Sequence, residues 1–354
     1  MAKALSSLAA ERLEQARSEG LQQRLDGQLR ASKTVINDLR KQVEAKERQI
    51  QTLEETIDLI CLLEETRKKP EKMLVPKSKA NEAVPIFLWS DWHVEEMVDK
   101  RKTLGKNEYN LKVAESRAKK CAESTVKMIR HARLSSHVRS AMVVLGGDFI
   151  TGDIHQELCE TNLLGPAEAC VFARELLARG LDAIRAEKYL QRIRVVCIVG
   201  NHGRTTKKMQ FKNGTEKSFE SIIYAELARQ FSDSRFEFVI ARGGVEMVPV
   251  SPGFDLRLFH GHQVKYQGGI GGLTVPLTKW IHRQDQTQAA SFNAMGHWHQ
   301  YGLPTPKCLC NGSLKGWDEY AAEHGFGFEP PQQAGAIFDA SRNRIGGVFP
   351  VYCE

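Results

Sequence analysis

The amino-acid sequence predicts an α/β domain, a layered β-sheet flanked by helices, preceded by a long coiled-coil-like helix. From Val84 onward, short apolar runs alternate with amphipathic stretches, and the first three runs each end in a loop of Asp, His, Asn and Gly. Such alternation is typical of α/β layers. Before residue 68, in contrast, the chain has no proline and is rich in residues that favour helices.

The helical arm is predicted over residues 1–67. Nine of eleven positions in an unbroken 3-4 register are apolar, which indicates a coiled-coil seam and thus a homo-oligomer or a protein partner. The alternative, a long amphipathic helix folded back on its own domain, remains open. The register is Leu25, Leu29, Ser32, Ile36, Leu39, Val43, Lys46, Ile50, Leu53, Ile57 and Ile60.

A linker is predicted over residues 68–83, where Pro70 and Pro76 end the helix, and a single domain over 84–354. Buried strands are expected at 84–89, 141–145, 194–199, 256–260, 291–296 and 335–339. Helices are expected at 110–134, 166–188 and 216–231.

The overall composition predicts a cytoplasmic protein. The chain has 354 residues, 42% of them hydrophobic, with no run of 18 apolar residues and no signal-peptide pattern, so no membrane partner is expected. The eight scattered cysteines are typical of reduced thiols, and Cys308 and Cys310 are interpreted as alternate positions on one strand. The net charge of +7 permits a polyanionic partner without requiring one.

Five short motifs, each at the end of a predicted strand, carry the candidate chemistry. They are Asp91-Trp92-His93, Gly146-Gly147-Asp148, Gly200-Asn201-His202, His260-Gly261-His262 and Gly296-His297-Trp298-His299. Strand carboxyl ends are where α/β sheets build their sites. Converging His, Asp and Asn side chains without a thiolate suit Mn²⁺, Fe or Zn²⁺.

This ordered set resembles the signature of the calcineurin-like metallophosphoesterase superfamily, over about residues 84–315. The resemblance implies a hydrolase of phosphoric esters that uses two divalent cations, with Mn²⁺ the first candidate. It implies that Asp91, His93 and His299 hold the first metal, that Asn201, His260 and His297 hold the second, and that Asp148 bridges them. A hydroxide between the metals would attack phosphorus while His202 acts as the acid. The family pattern favours His260 over His262 as the ligand, which leaves His262 beside the phosphate.

One position departs from the family. Relatives often place an acid directly after Gly-Asn-His, whereas this chain has Gly203 followed by Arg204. The departure argues against protein phosphatase activity, and it leaves open what orients His202.

A basic loop follows His202. Arg204, Lys207, Lys208 and Lys212 precede the first acid, Glu216, and a basic rim suits a substrate with several phosphates. We therefore expect a phosphodiesterase acting on DNA or RNA, with Arg204, Lys207, Lys208 and His262 as substrate contacts. It would resemble the nuclease branch that includes the double-strand-break repair nucleases, and phosphoesterases of phages and prophages. The alternatives are an enzyme for a small nucleotide, or a helical-arm scaffold with a vestigial metal site, against which the complete ligand set argues.

Overall fold

The computed structural model describes residues 33, 36–44, 46–47, 81–265 and 272–354. The chain divides into two compact units, Met1–Cys61 and Leu62–Glu354. The described residues of the first unit are helical, and Ile36, Leu39 and Val43 of the predicted register are about half exposed. The remaining register positions except Lys46, and the linker up to residue 80, lie outside the described residues, so the coiled coil stays a prediction.

The first sheet of the second unit has six strands in the order β11-β10-β1-β2-β3-β4. Its four parallel strands are β1 (Ala83–Trp89), β2 (Ser140–Leu145), β3 (Arg192–Cys197) and β4 (Phe236–Ile240). Two antiparallel strands, β10 (Gln332–Asp339) and β11 (Arg344–Tyr352), extend it beside β1. The segment after residue 315, where the family resemblance ends, therefore completes this sheet.

The second sheet has five strands in the order β5-β6-β7-β9-β8. They are β5 (Val245–Ser251), β6 (Phe254–Phe259), β7 (Phe292–Met295), β8 (Gly302–Thr305) and β9 (Cys308–Cys310). Strands β6, β7 and β9 are parallel, while β5 and β8 form antiparallel edges. Cys308 and Cys310 are buried thiols at alternate positions of β9, as expected.

The two sheets pack face to face because alternate residues of each strand share one face. Val84, Ile86 and Leu88 of β1 belong to one core cluster with Leu256 and Leu258 of β6. Trp89 lies on the other face of β1 and points to the helical layer.

Helices cover the outer faces of both sheets. The helices are α1 (Leu111–Ser135), α2 (Gln156–Thr161), α3 (Pro166–Arg185), α4 (Phe219–Gln230), α5 (Thr274–Thr287) and α6 (Glu319–Glu323). Trp89 donates a hydrogen bond to Thr125 Oγ1 of α1, and Gly180 of α3 packs so tightly on its ring that a Cβ would lie 2.8 Å away. Helix α5 packs on the second sheet through Leu277 and Ile281. None of the helices in the described part of the chain is long and apolar enough to cross a membrane.

The strands and helices predicted between residues 84 and 354 are all present, with shifted ends. Strand β1 begins at Ala83, inside the predicted linker, and α4 begins at Phe219 rather than at 216 because Ser218 accepts a hydrogen bond from the Glu220 N–H. Strands β4, β5, β8 and β11 and three helices were not predicted. Strand β11 contains Gly346, Gly347 and Pro350, which are poor strand formers, and it exists because it pairs with β10 along its length.

Candidate metal centre

The five motifs meet at one end of the two sheets. Strands β1, β2 and β3 are parallel neighbours, so the loops after Trp89, Leu145 and Cys197 emerge at the same edge. Strands β6 and β7 of the second sheet end beside them and supply the remaining histidines.

The structure gathers the predicted ligands into two groups. Potential ligand atoms of Asp91, His93 and His299 lie within 4.8 Å of one another, and so do those of Asp148, His260 and His297. His260 Nε2 is 2.8 Å from Asp148 Oδ2 and 4.0 Å from Asp91 Oδ1, which brings the two groups into contact. Each group has the composition that the family resemblance implies for one metal, apart from Asn201, whose place is given below.

Five of these side chains sit on backbone that ordinary residues avoid. Positive φ angles between 47° and 70° occur at Asp91, His93, Asp148, His297 and His299. The described part of the chain has two other non-glycine residues with positive φ, Leu104 and Asn343. Such backbone costs of order 1–3 kcal/mol per residue and clusters at functional sites. The concentration of positive φ angles in the motif loops indicates that the tertiary structure holds these residues against their backbone preference.

The motif glycines let the loops approach one another. A Cβ on Gly200 would collide with the Asp148 carboxylate, one on Gly147 with the Gly200 amide, and one on Gly296 with the Asp91 carboxylate. The glycines are thus required for close approach of the loops.

Two histidines are oriented so that Nε2 faces the centre. His93 Nδ1 lies 3.1 Å from Thr151 Oγ1, and His260 Nδ1 lies 2.7 Å from the Gly146 carbonyl oxygen. A partner on one ring nitrogen commonly fixes the orientation of a metal-binding histidine.

Some of the inward-facing atoms have no protein partner. Within the part of the chain that the structure describes, the buried atoms His93 Nε2 and Asn201 Oδ1 lack a hydrogen bond. Buried polar atoms are rarely left so, and nitrogen and oxygen donors of this kind fit divalent cations. The residues present therefore fit the metal pair that the sequence predicted.

The protonation states suit the same purpose. Burial lowers the pKa of His93 well below its usual value and lowers that of His297 to about 4, which keeps both imidazoles neutral, as metal ligands must be. Burial also disfavours charge on His260, but the adjacent Asp148 carboxylate outweighs it and raises the pKa of His260 to about 10. The pair therefore shares one proton and has no net charge, and a metal that bound to His260 Nε2 would displace that proton.

His202 is oriented by backbone rather than by an acid. Its ring Nδ1 lies 3.0 Å from the Thr151 carbonyl oxygen, and the backbone N–H of His202 donates to Asp148 Oδ1 at 2.7 Å. Thr151 thus holds His202 through its carbonyl and His93 through its hydroxyl. His202 also forms a third group with His93 and Asp148, so geometry alone allows it to be either a ligand or an acid.

The structure explains why residue 203 is glycine and not the acid that relatives often have there. A Cβ at residue 203 would lie 2.7 Å from Cγ of Glu220, a buried residue 17 positions later. Glu220 accepts hydrogen bonds from the Phe149 and Gly200 amides, which ties the second and third motif loops together. Burial, followed by repulsion from Asp148, raises the pKa of Glu220 to about 8.

A buried ion cluster supports His93 from behind, and sequence reasoning missed it. Lys315 Nζ lies 2.8 Å from Glu96 Oε1 and 2.6 Å from Asp318 Oδ2, and Glu96 Oε2 accepts a hydrogen bond from the Thr151 hydroxyl. The available signal was a lysine inside the otherwise apolar or small segment that follows Asn311. A buried lysine requires acidic partners.

The four predicted substrate contacts differ in their surroundings. Lys207 and Lys208 are exposed. Arg204 is half-buried and donates to the Asn201 and Thr206 carbonyl oxygens, so its guanidinium shapes the loop. The His262 ring is 5.6 Å from that of His260, and burial lowers the pKa of His262 to about 3. Exposed His155, which fits no motif, lies 6.3 Å from the His202 ring.

No family model matches the chain, and no curated protein sequence matches it. Among solved structures, it is similar to the sulfate thiohydrolase SoxB of Thermus thermophilus in complex with glycerol, at 10% identity and a TM-score of 0.30. The match covers 78% of this chain and 57% of that protein. Values this low assign neither a family nor an activity.

Proposed function

We propose that this protein is a phosphodiesterase of the calcineurin-like metallophosphoesterase type that uses two divalent cations. The cations are Mn²⁺ by first choice, or Fe or Zn²⁺. The observation that supports the proposal is the pair of contiguous three-residue groups, built from strained loops around inward-facing atoms that lack protein partners. The proposed ligands are Asp91, His93, Asp148, Asn201, His260, His297 and His299.

Two cations bound there would polarise a phosphoryl group and lower the pKa of a coordinated water. The chain's own residues would position the substrate and manage the proton. With Nδ1 of His202 held by the Thr151 carbonyl oxygen, Nε2 is left for the substrate. Burial lowers the pKa of His202, and a bound phosphate would offset this because its negative charge favours the imidazolium. His202 would then donate a proton to the leaving oxygen.

The substrate is proposed to be a nucleic acid. The basic loop, residues 204–217, begins two residues after His202, and its base is closed by a β-bridge between Arg204 and Ser218. Exposed Lys207, Lys208 and Lys212 lie within it. Lysines outside the centre favour a substrate with phosphates beyond the reacting one, whereas a small nucleotide would leave them unused.

A substrate panel with Mn²⁺ tests the proposal. We expect hydrolysis of a small chromogenic phosphodiester and of at least one oligonucleotide among single-stranded DNA, duplex DNA and RNA, with cyclic nucleotides as the comparison. Elemental analysis should find about two metals per chain. Turnover of the cyclic nucleotide without any oligonucleotide cleavage would favour the small-nucleotide alternative. Absence of all hydrolysis at full metal content would contradict the enzyme proposal.

The helical arm is proposed to mediate self-association. Ile36, Leu39 and Val43 are described apolar positions of the register and are exposed. Changing Leu39 and Val43 to Lys should lower the molar mass measured by light scattering, because charges at seam positions disfavour coiled-coil pairing. Hydrolysis of the small phosphodiester serves as the control and should not change. An unchanged mass would contradict self-association through these positions.

A further inference from the structure

A cluster of aromatic rings lies exposed around helix α6. Tyr320, Phe326 and Phe328 expose 63%, 45% and 51% of their surface, and His324 is exposed beside them. The Tyr320 and His324 rings are 4.0 Å apart and nearly parallel, and Phe326 lies 6.2 Å from each. We call these four residues the aromatic platform. An exposed patch of large apolar groups usually marks a binding surface.

The platform is held in place by buried neighbours. The Asp318 carboxylate accepts the Ala321 N–H at the start of α6, and Trp317 donates to the Phe326 carbonyl oxygen. The Trp317 ring, which is buried, lies 6.1 Å from that of Phe328. The rings are thus positioned before any partner arrives, which lowers the entropy that binding must overcome.

Both ends of the platform are tied to segments that build the metal centre. At one end, Asp318 pairs with Lys315, which pairs with Glu96 behind His93. At the other end, Glu329 Oε1 accepts the N–H of Tyr301, two residues after His299. These contacts therefore link the platform to the segments that carry His93 and His299.

The basic loop borders the centre at a different place, directly after His202. Three exposed lysines lie in this loop with Phe211, whose ring is 87% exposed. One segment linked to the centre thus carries the aromatic platform, and another carries exposed lysines and the Phe211 ring. A polymer with alternating bases and phosphates matches this combination of surfaces.

We propose that the aromatic platform stacks bases of a single-stranded nucleic acid whose scissile phosphodiester lies at the metal centre. Flat rings of Tyr320, His324 and Phe326 offer π-faces to any base, and Lys207, Lys208 and Lys212 take the phosphates. A duplex hides its base faces in its own stack, and a mononucleotide has no phosphates beyond the reacting one. The inference rests on the proposed phosphodiesterase function and specifies its substrate.

The test measures binding of a labelled single-stranded oligonucleotide to the full chain by fluorescence anisotropy, in EDTA so that no cleavage occurs. Changing Tyr320 and Phe326 together to Ala should weaken binding roughly 5- to 150-fold, the range for loss of one stacked base. Tyr320→Phe keeps the ring and should bind within about twofold of the unmodified protein. An oligonucleotide with abasic sites should bind the unmodified protein weakly and should not respond to the substitutions.

Three results with single-stranded oligonucleotides would overturn the inference. They are unchanged binding by the double variant, an equal loss on the abasic oligonucleotide, and no binding of the single strand by the unmodified protein. Duplex DNA that responds to the substitutions as strongly as the single strand would also overturn it. Tyr320→Ala alone gives the same test if the double variant folds poorly.

Hydrolysis of the small chromogenic phosphodiester distinguishes failure of the base-stacking role from failure of the proposed phosphodiesterase function. If the unmodified protein hydrolyses that substrate but the platform substitutions leave oligonucleotide binding unchanged, only the stacking role fails. If the unmodified protein with two metals bound does not hydrolyse it, the proposed enzyme function fails.

Discussion

The two edges of the first sheet, at the amino and carboxyl ends of its parallel strands, both carry exposed cations but are built differently. At the amino ends of β1, β2 and β3 lies a cavity of about 600 Å³. Its lining includes exposed Arg133, Arg139 and Lys188, and the Arg133 guanidinium sits 4.0 Å above the Tyr189 ring. At the carboxyl ends lie the buried side chains of the metal centre. This hollow thus lies at the edge opposite the candidate chemistry.

The difference shows what separates a candidate active site from a basic hollow. Among the described residues, every group of three or more His, Cys, Asp or Glu side chains that could hold a metal lies at the carboxyl edge. That edge also has the positive-φ loops of the motifs and the buried ligand atoms His93 Nε2 and Asn201 Oδ1, which lack a protein partner. Exposed cations remain hydrated and need no ligand, whereas buried unpaired donors do. We therefore place the chemistry at the carboxyl edge.

The largest expected effect is on the metal itself. Asp148→Asn removes the proposed bridging charge, and activity on the small phosphodiester should fall roughly 10³-fold or more, since metal ions supply several kcal/mol of transition-state stabilisation. Metal content by elemental analysis should fall with it. The matched change at the opposite edge, Arg139→Ala with Lys188→Ala, should alter neither. Full two-metal content in the Asp148 variant would disprove the bridging role.

The next effect is on proton transfer. His202→Ala should lower turnover by about 10²–10⁴ while both metals stay bound, because loss of a general acid typically costs that much. His155→Ala is the control, since His155 is the exposed neighbouring ring, and it should change turnover little. Loss of one metal in the His202 variant would make His202 a ligand, as its group with His93 and Asp148 allows.

A smaller effect compares the cations of the two edges. Changing Lys207, Lys208 and Lys212 to Ala should flatten the salt dependence of oligonucleotide binding by a slope of roughly 0.7–0.9 per lost contact. If all three contact phosphates, the fall in affinity between 50 and 200 mM salt should shrink roughly 20- to 40-fold. The equal charge change at Arg133, Arg139 and Lys188 should leave the slope unchanged. Equal slopes in both variants would contradict a role for the basic loop.

The smallest effect concerns the ion pairs of the two edges. Burial disfavours ionised Asp318, but Lys315 outweighs it and lowers the pKa of Asp318 from 3.8 to about 2. Because the folded value is the lower one, the pair stabilises the fold above pH 3.8, by about 2 kcal/mol, and this is lost as pH falls toward 2. Asp318→Asn should therefore lower the free energy of unfolding at pH 6, with a difference that shrinks below pH 4.

The opposite edge supplies the control for that measurement. Arg130 pairs with Glu187 at 2.6 Å, but its side chain is 67% exposed, and exposed pairs typically contribute less than about 1 kcal/mol. Glu187→Gln should therefore cost less than Asp318→Asn in chemical denaturation at pH 6. A cost at least as large would show that burial of Lys315 and Asp318 adds nothing.

Much of the second unit could be predicted from sequence alone. The apolar runs before Asp91, Asp148 and Asn201 are strands, and their motifs lie at one edge, because parallel neighbouring strands end together. The family resemblance implied which side chains would be neighbours, and the structure brings Asp91, His93 and His299 together, as it does Asp148, His260 and His297. Their roles as ligands stay predictions that the metal measurements test.

What the sequence determined by itself was the identity of the inward-facing donors, since strand ends and glycine turns are encoded locally. Tertiary structure alone decided the rest. Glu220 fills the space beside Gly203, and Lys315 pairs with Glu96, which is 219 residues away in the chain. The exposed rings of Tyr320, His324 and Phe326 are linked to the segments that carry His93 and His299 only through the Asp318 and Glu329 contacts. These features depend on which distant segments pack together, and no local pattern records a contact between residues so far apart in sequence.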